Sequence, residues 1–388
     1  MIRADVAVVS AFLPADLRGG AELTAWEEAR LLGEDRRVVL VTTSSPTADG
    51  PEQVQVGAWV RPLYHPGRPD RSLSRRLASH GLMLFNPATF VEALVLFRRL
   101  RPRVVHTHNL LTLSPSIWLA ARLAGARVVH THHDLWPLCQ RSTMTRQDGR
   151  YCEERTALCL LCRATRPVKR AELALVDHEI FPSRWLRGRL RRDGTVVRPF
   201  ARGEPAAGSG EPPAVVFLGR LVEAKGVRVL LEAFTRLGRD HPNTELVVAG
   251  WGPLAPAVRR TPGATHLGEV DEEARRNLLA RAVAVVVPSI GPDSSSAVAL
   301  EALATGVPVI VSDAGGLAEL GELGAIVVAA GDARALAEAL SGVLAGTYAA
   351  PDRTHEIASP ERFRRELEGV LRALERGAPA ARGAASAG

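Results

Sequence analysis

Short apolar runs alternate with helical patterns along most of this 388-residue chain, and the alternation occurs twice. In the first half, Val6 to Val9, Val38 to Thr42, Val104 to His106, Ala126 to Thr131 and Glu179 to Pro182 read as strands. Ala21 to Leu32, Phe90 to Leu100 and Ser116 to Leu123 carry apolar residues at helical spacing. The second half repeats the scheme with Ala214 to Leu218, Glu245 to Ala249, Ala282 to Val287, Pro308 to Val311 and Gly324 to Val328. Strands this uniformly apolar are buried on both faces, so the order implies parallel sheets covered by helices on each side. Residues 201–213 (ARGEPAAGSGEPP) interrupt the pattern and read as a linker. The expected fold is α/β, with two Rossmann-like doubly wound domains at 1–200 and 214–350 facing a central cleft. A helix is expected at 360–375, and 376–388 reads as a disordered tail.

Two of the 49 Lys and Arg residues are lysines. Where nearly every cation is Arg, a retained Lys is informative, because it offers a compact, rotatable point charge instead of a planar fork. Lys225 lies in Val216-Phe217-Leu218-Gly219-Arg220-Leu221-Val222-Glu223-Ala224-Lys225-Gly226, where Gly219 ends a strand and Val227 to Leu237 has helical spacing. Arg220 and Lys225 therefore stand at a strand's carboxyl end beside a helix N-terminus, where anions are favoured. A nicotinamide dehydrogenase is excluded, since no Gly-x-Gly-x-x-Gly follows a strand with an acidic residue about 20 positions on.

The GRL-x-x-x-KG run resembles the diphosphate-gripping segment of the retaining nucleotide-sugar glycosyltransferases of family 4. A second match runs from Pro288-Ser289 through Asp293 and Ser295-Ser296 to Leu300-Glu301 and Gly306-Val307-Pro308. There the family has two glutamates separated by seven residues, and Asp293 stands at the first, one methylene shorter. Gly19-Gly20-Ala21-Glu22, His106-Thr107-His108-Asn109, Thr131-His132-His133-Asp134, Gly250-Trp251-Gly252-Pro253 and Gly315-Gly316 extend the match in the family's order.

The resemblance implies a GT-B fold and transfer of a sugar from a nucleoside diphosphate to a hydroxyl acceptor, with retention by front-face attack. It assigns Gly219, Arg220 and Lys225 to the diphosphate, with no catalytic metal needed, and Gly19 and Gly20 to closing on it. Glu301 takes the ribose hydroxyls and Asp293 the donor sugar; a turn or cap role for Asp293 is the plainer alternative. Gly252, Ser295 and Ser296 fall to the donor, and main chain near Gly268, Glu269 and Val270 to its base. His133 faces the reacting sugar, with His108 as second choice, and His108 and Asp134 lie on the acceptor side. A nucleotide-sugar epimerase or hydrolase on the same fold, or a non-catalytic nucleotide-sugar-binding subunit, are the competing readings.

Metal is expected elsewhere, if anywhere. The histidines at 106, 108, 130, 132 and 133 are read as pointing to opposite strand faces, which would suit no single ion. Cys139, Cys152, Cys159 and Cys162 all fall within a short excursion at 139–162. Such a tetrad suggests structural zinc; an iron–sulfur cluster, disulfides and unrelated thiols stay open.

Net charge is +7, partly from Arg68, Arg71, Arg75 and Arg76 and from Arg184, Arg187, Arg189, Arg191 and Arg192. A solvated face is the plain reading, and peripheral contact with an anionic membrane near Gly81 to Phe97 is the alternative. No reader motif for nucleic acid accompanies the charge. Gly81 to Phe97 contains Asn86, Pro87 and Glu92 and reads as too short to span a bilayer. The N-terminus has no cleavage-site pattern. A cytoplasmic location, with or without attachment to the cytoplasmic membrane face, is the expectation.

Overall fold

A computed structural model describes residues 3–13, 19–44, 51–55, 80–111, 113–139, 142, 144, 152, 160–201, 214–348 and 359–376. The linker from 202, the tail from 377, the arginines at 68–76 and Cys159 lie outside the described residues. Two compact units divide the chain: Met1–Ser142, Ala157–Arg198 and the segment from Phe363 form one, and Thr143–Thr156 with Pro199–Arg362 the other.

The first unit holds a parallel sheet of β1 (Val6–Val9), β2 (Val38–Thr42), β3 (Gln53–Gln55), β4 (Val104–Thr107), β5 (Arg127–Thr131), β6 (His178–Phe181) and β7 (Thr195–Val196). Their spatial order is β3-β2-β1-β4-β5-β6-β7. Val6 pairs with Val38 on one side and Val104 on the other, and every β1 side chain is fully buried. Helices α1 (Gly20–Leu32), α2 (Pro87–Leu100), α3 (Ser116–Leu123), α4 (Leu160–Leu173) and α5 (Arg184–Leu190) belong to this unit. Phe97 of α2 and Trp118 of α3 fill the core, where the Trp118 indole donates to Thr107 Oγ1 at 2.8 Å.

The second unit repeats the plan with β8 (Ala214–Leu218), β9 (Glu245–Ala249), β10 (Ala264–Gly268), β11 (Ala282–Val287), β12 (Val309–Ser312) and β13 (Ile326–Val328). Its order is β10-β9-β8-β11-β12-β13, again parallel throughout. Helices α6 (Val227–Leu237), α7 (Ala255–Arg259), α8 (Glu272–Arg281), α9 (Ala297–Ala304) and α10 (Ala333–Leu344) complete it, and separate apolar clusters cover the two sheet faces. In both sheets the winding reverses beside the first strand, at β1/β4 and at β8/β11, and the carboxyl ends there are the ligand-binding positions of doubly wound sheets.

The last helix, α11 (Pro360–Glu375), is held to the first unit by charge. The Arg36 guanidinium donates to Glu368 at 2.7 and 2.8 Å and to Glu375 at 2.7 Å, and Arg364 reaches Glu34 at 2.8 Å. The apolar stretch around α2 is longer than the sequence reading allowed. His80–Leu100 spans 21 residues at mean hydropathy 1.4, enough by length and composition to cross a bilayer. Asn86 nevertheless interrupts it as an N-cap accepting from the Thr89 amide, and Ala93 and Phe97 are buried in the core.

Candidate functional site

In the second unit the loops after β8, β11 and β12 are laced together. Gly226 has a φ of 70°, and a Cβ there would meet the Pro288 carbonyl oxygen at 1.8 Å, so glycine permits the contact between the first loop and the second. The amides of Ile290 and Gly291 both donate to the Ala224 carbonyl, at 2.9 and 3.0 Å. That contact brings Lys225 Nζ to Asp293 Oδ2 at 2.5 Å, and Ser289 Oγ lies 3.4 Å from the same oxygen. The Gly316 amide donates to the Asp293 carbonyl at 2.7 Å. Arg220 is exposed and makes no ion pair among the described residues.

Other donor candidates sit around the same strand ends. Gly252 closes against Leu221, whose carbonyl oxygen would be 2.4 Å from a Cβ at this position. Gly219 follows β8, Glu269 is exposed after β10, and Val270 packs partly against the core. Ser295 is half-buried, whereas the Ser296 hydroxyl accepts from the Ala299 amide at 3.2 Å and is spent on capping α9. Asp293 lies before α9 and Glu301 within it.

Glu301 has a partner the sequence did not suggest. Arg275 of α8 donates to its carboxylate, and Glu301 is only 4% exposed. Burial pushes the Glu301 carboxyl up, with Arg275 acting against that push. No spacing rule links residues on two different helices, so Arg275 escaped the sequence reading.

In the first unit the candidates cluster at the ends of β4 and β5. His108 Nδ1 lies 3.0 Å from His133 Nε2. His106 and His108 share a face, with ring centroids 4.5 Å apart, which corrects the reading that placed these histidines on opposite faces: residues two apart on a strand point the same way. Both turn to Glu28 of α1, which lies 2.5 Å from His106 Nδ1 and 3.1 Å from His108 Nε2. Burial pushes the Glu28 carboxyl up, but the two imidazoles outweigh it and hold it down at about 2. Burial also pushes His108 down and His133 well down from the ordinary imidazole value, with Glu28 acting against the shift.

The remaining histidines have structural partners. His132 Nε2 lies 2.7 Å from Glu179 and its ring stacks on Phe181, while His130 Nδ1 lies 2.9 Å from Thr107 Oγ1. Asp134 accepts from the Trp136 amide at 2.7 Å, closing a turn. Gly19 caps α1, Gly20 opens it, and Glu22 in its first turn accepts from Asn109 Nδ2 at 2.6 Å.

Cys139 is buried, and Cys152 and Cys162 are half-buried. Lys169, the second lysine, is buried, donates to the Trp136 carbonyl at 2.6 Å and lies 4.7 Å from the centroid of that indole. Burial pushes its ammonium down to about 8, with Cys162 and Cys139 opposing the shift. The rarity that singled out Lys225 applied equally here.

Residues 18–199 match the family description Glycosyltransferase Family 4, and residues 212–346 match Glycosyl transferases group 1. A glycogen synthase of Mycobacterium tuberculosis is 31% identical over 280 residues, which cover 66% of this chain and 63% of that protein. The chain thus spans just under two thirds of that relative's length. Among solved structures, a sucrose-phosphate synthase from Thermosynechococcus elongatus matches at TM-score 0.65 and 19% identity, over 97% of both chains. The Anabaena protein HepE in complex with UDP-glucose matches at TM-score 0.67 and 14% identity, over 96% of this chain and 100% of that one.

Proposed function

The chain belongs to the family 4 glycosyltransferases and has the GT-B fold, and from that premise we propose that it transfers a sugar, with retention, from a nucleoside diphosphate sugar to a hydroxyl acceptor. The observation that carries this reading is the contact of Lys225 with Asp293 at 2.5 Å at the switch point of the second sheet, with Arg220 exposed and without an ion pair among the described residues. A diphosphate needs positive charge that strengthens its hold as the glycosidic bond breaks and the leaving oxygen becomes anionic. Lys225 and Arg220 supply two such cations, and no divalent ion is required for that neutralisation. Asp293, held next to Lys225, is positioned to accept from donor sugar hydroxyls, and Glu301 to accept from ribose. The leaving diphosphate oxygen takes the acceptor proton on the face from which the acceptor attacks. HepE, with UDP-glucose bound, illustrates a donor of the proposed class on this fold.

Two further readings rest on the sequence. A structural zinc held by Cys139, Cys152, Cys159 and Cys162 is supported by the buried Lys169 ammonium beside two of the thiols, a counter-charge for a tetrathiolate centre. A cytoplasmic location with peripheral contact to an anionic membrane is supported by the net charge of +7 and by exposed Phe85, Val91 and Val95 around α2.

Incubating the chain with UDP-, GDP- and ADP-sugars and a panel of hydroxyl acceptors tests the main reading. Release of nucleoside diphosphate should depend on acceptor and yield a glycoside of unchanged anomeric configuration. Release without acceptor, or epimerised donor, would make the chain a hydrolase or an epimerase. About one zinc per freshly purified chain is expected, and metal-free protein would dismiss the zinc.

A further inference from the structure

Where α1 meets the end of β4, Glu28, His106 and His108 offer ligand atoms within 4.8 Å of one another, and the three residues are 1%, 0% and 2% exposed. Glu28 Oε1, His106 Nδ1 and His108 Nε2 are all buried without a hydrogen-bond partner. We propose that these three residues bind one divalent transition ion of the zinc class, which fastens α1 to the carboxyl end of β4.

Distance and direction disagree at this cluster. Glu28 Oε1 is 2.5 Å from His106 Nδ1, and Glu28 Oε2 is 3.1 Å from His108 Nε2, yet neither approach has the direction of a hydrogen bond. Ligands of one ion stand in this way, close together with each lone pair aimed at the ion instead of at its neighbour. Buried polar atoms are almost always paired, so three orphans in one place call for a common partner. A single cation satisfies all three, and the second Glu28 oxygen can take a fourth position.

The outer edges of both rings carry the partners that ligation requires. His106 Nε2 lies 2.8 Å from Thr131 Oγ1, and His108 Nδ1 lies 3.0 Å from His133 Nε2. Metal-binding imidazoles turn their second nitrogen to such a partner, which fixes the ring and keeps the first nitrogen's lone pair on the ion. Two imidazoles and a carboxylate suit zinc and its neighbours, whereas magnesium and calcium favour oxygen. Tetrahedral donors at roughly 2.0–2.1 Å from zinc stand about 3.3 Å apart, so the 2.5 Å contact opens by about 0.8 Å on binding, which small side-chain rotations supply. Donors this deeply buried make the ion a brace for the strand end behind His133.

The ion is separate from the one proposed for the cysteines, and the test keeps them apart. After an organomercurial has stripped metal from thiolates, the wild-type chain should retain about one zinc by elemental mass spectrometry, or take it up from added zinc. In the zinc-loaded chain labelled at histidine, imidazole carbon and nitrogen shifts should show His106 as the Nε2–H and His108 as the Nδ1–H tautomer. A plain ion pair with Glu28 needs the hydrogens on the opposite nitrogens, so the reverse tautomers would overturn the proposal, as would a stripped chain that holds no zinc. Thr131→Val keeps the shape of the side chain but removes the partner of His106, and should weaken zinc affinity roughly 10- to 100-fold. Glu28→Leu should abolish the thiol-independent zinc and the rise in thermal midpoint that zinc gives the wild type. Undiminished zinc binding in both variants would also refute the site, and should Glu28→Leu fail to fold, the wild-type count and spectrum decide. None of these readouts uses a sugar donor, so failure of the transferase reading would leave the metal site standing.

Discussion

If Lys225 grips the donor diphosphate as proposed, its contact with Asp293 makes the donor compete for that clamp. In the ligand-free chain the ammonium is hydrogen-bonded to Asp293 Oδ2 at 2.5 Å, with side-chain exposures of 29% and 11%. A hydrogen bond between charged groups contributes about 1.5–3 kcal/mol, and the exposure of the lysine end moves this pair toward the about 1 kcal/mol of surface pairs. An incoming diphosphate must share or displace that bond, and its own negative charge stands close to the Asp293 carboxylate. Asp293→Asn removes both obstacles while keeping size. Free UDP should therefore bind about five- to tenfold more tightly to the variant, the equivalent of about 1–1.4 kcal/mol. Turnover should fall, because the transferred sugar loses a charged acceptor for its hydroxyls. Titration calorimetry with UDP, repeated at raised salt, separates the two effects; screening should narrow the difference between variant and wild type. UDP affinity unchanged or weakened in Asp293→Asn would refute the reasoning, since Lys225 would then not be shared between the carboxylate and the diphosphate.

Arg275→Ala leaves Glu301 buried without its counter-ion, so unfolding stability should drop by about 2–4 kcal/mol in urea titration and free UDP should bind more weakly; Arg275→Lys should lose less of each. Lys225→Ala should lower kcat more than it raises KM, with a loss of about 3–4 kcal/mol in transition-state stabilisation, and wild-type steady-state rates in this variant would remove the clamp. Burial holds His130 and His133 well below the ordinary imidazole value of 6.5, so the unfolded chain binds protons that the folded chain refuses. Stability should be full above about pH 6.5 and decline below it, and a thermal midpoint flat from about pH 8 to about pH 5 would contradict their neutral burial.

The central strands were legible because parallel strands buried on both faces are nearly uninterrupted in valine and alanine, as in Val6–Val9 and Ala282–Val287. Edge strands lack that signature. Gln53–Gln55 is three residues with a polar majority, Thr195–Val196 is two, and Ala264–Gly268 includes a histidine and a threonine. Helix α4 was hidden by Pro167, which reads as a breaker yet lies inside Leu160–Leu173. The second unit's site was readable because its residues fall in two short runs after β8 and β11, where Lys225 and Asp293 meet through the Gly226 and Pro288 contact.

Glu28 was harder to read, although it left a trace. Along Gly20–Leu32 the inward stripe at helical spacing passes through Glu22, Ala25, Ala29 and Leu32, with Glu28 adjoining it, and both glutamates are buried, at 3% and 1% exposure. An amphipathic helix normally turns glutamate outward, so two carboxylates on the buried side break the pattern that makes the helix foldable. Such a break persists only where partners compensate for the desolvation, and here they come from β4 and the loop after it: Asn109 for Glu22, and His106 with His108 for Glu28. Composition counts these glutamates with the rest of the charged surface. Periodicity alone separates them, because only the helix register reveals which charges face inward. Histidines two apart on a facing strand then identify what Glu28 meets, with His133 against His108 beyond it.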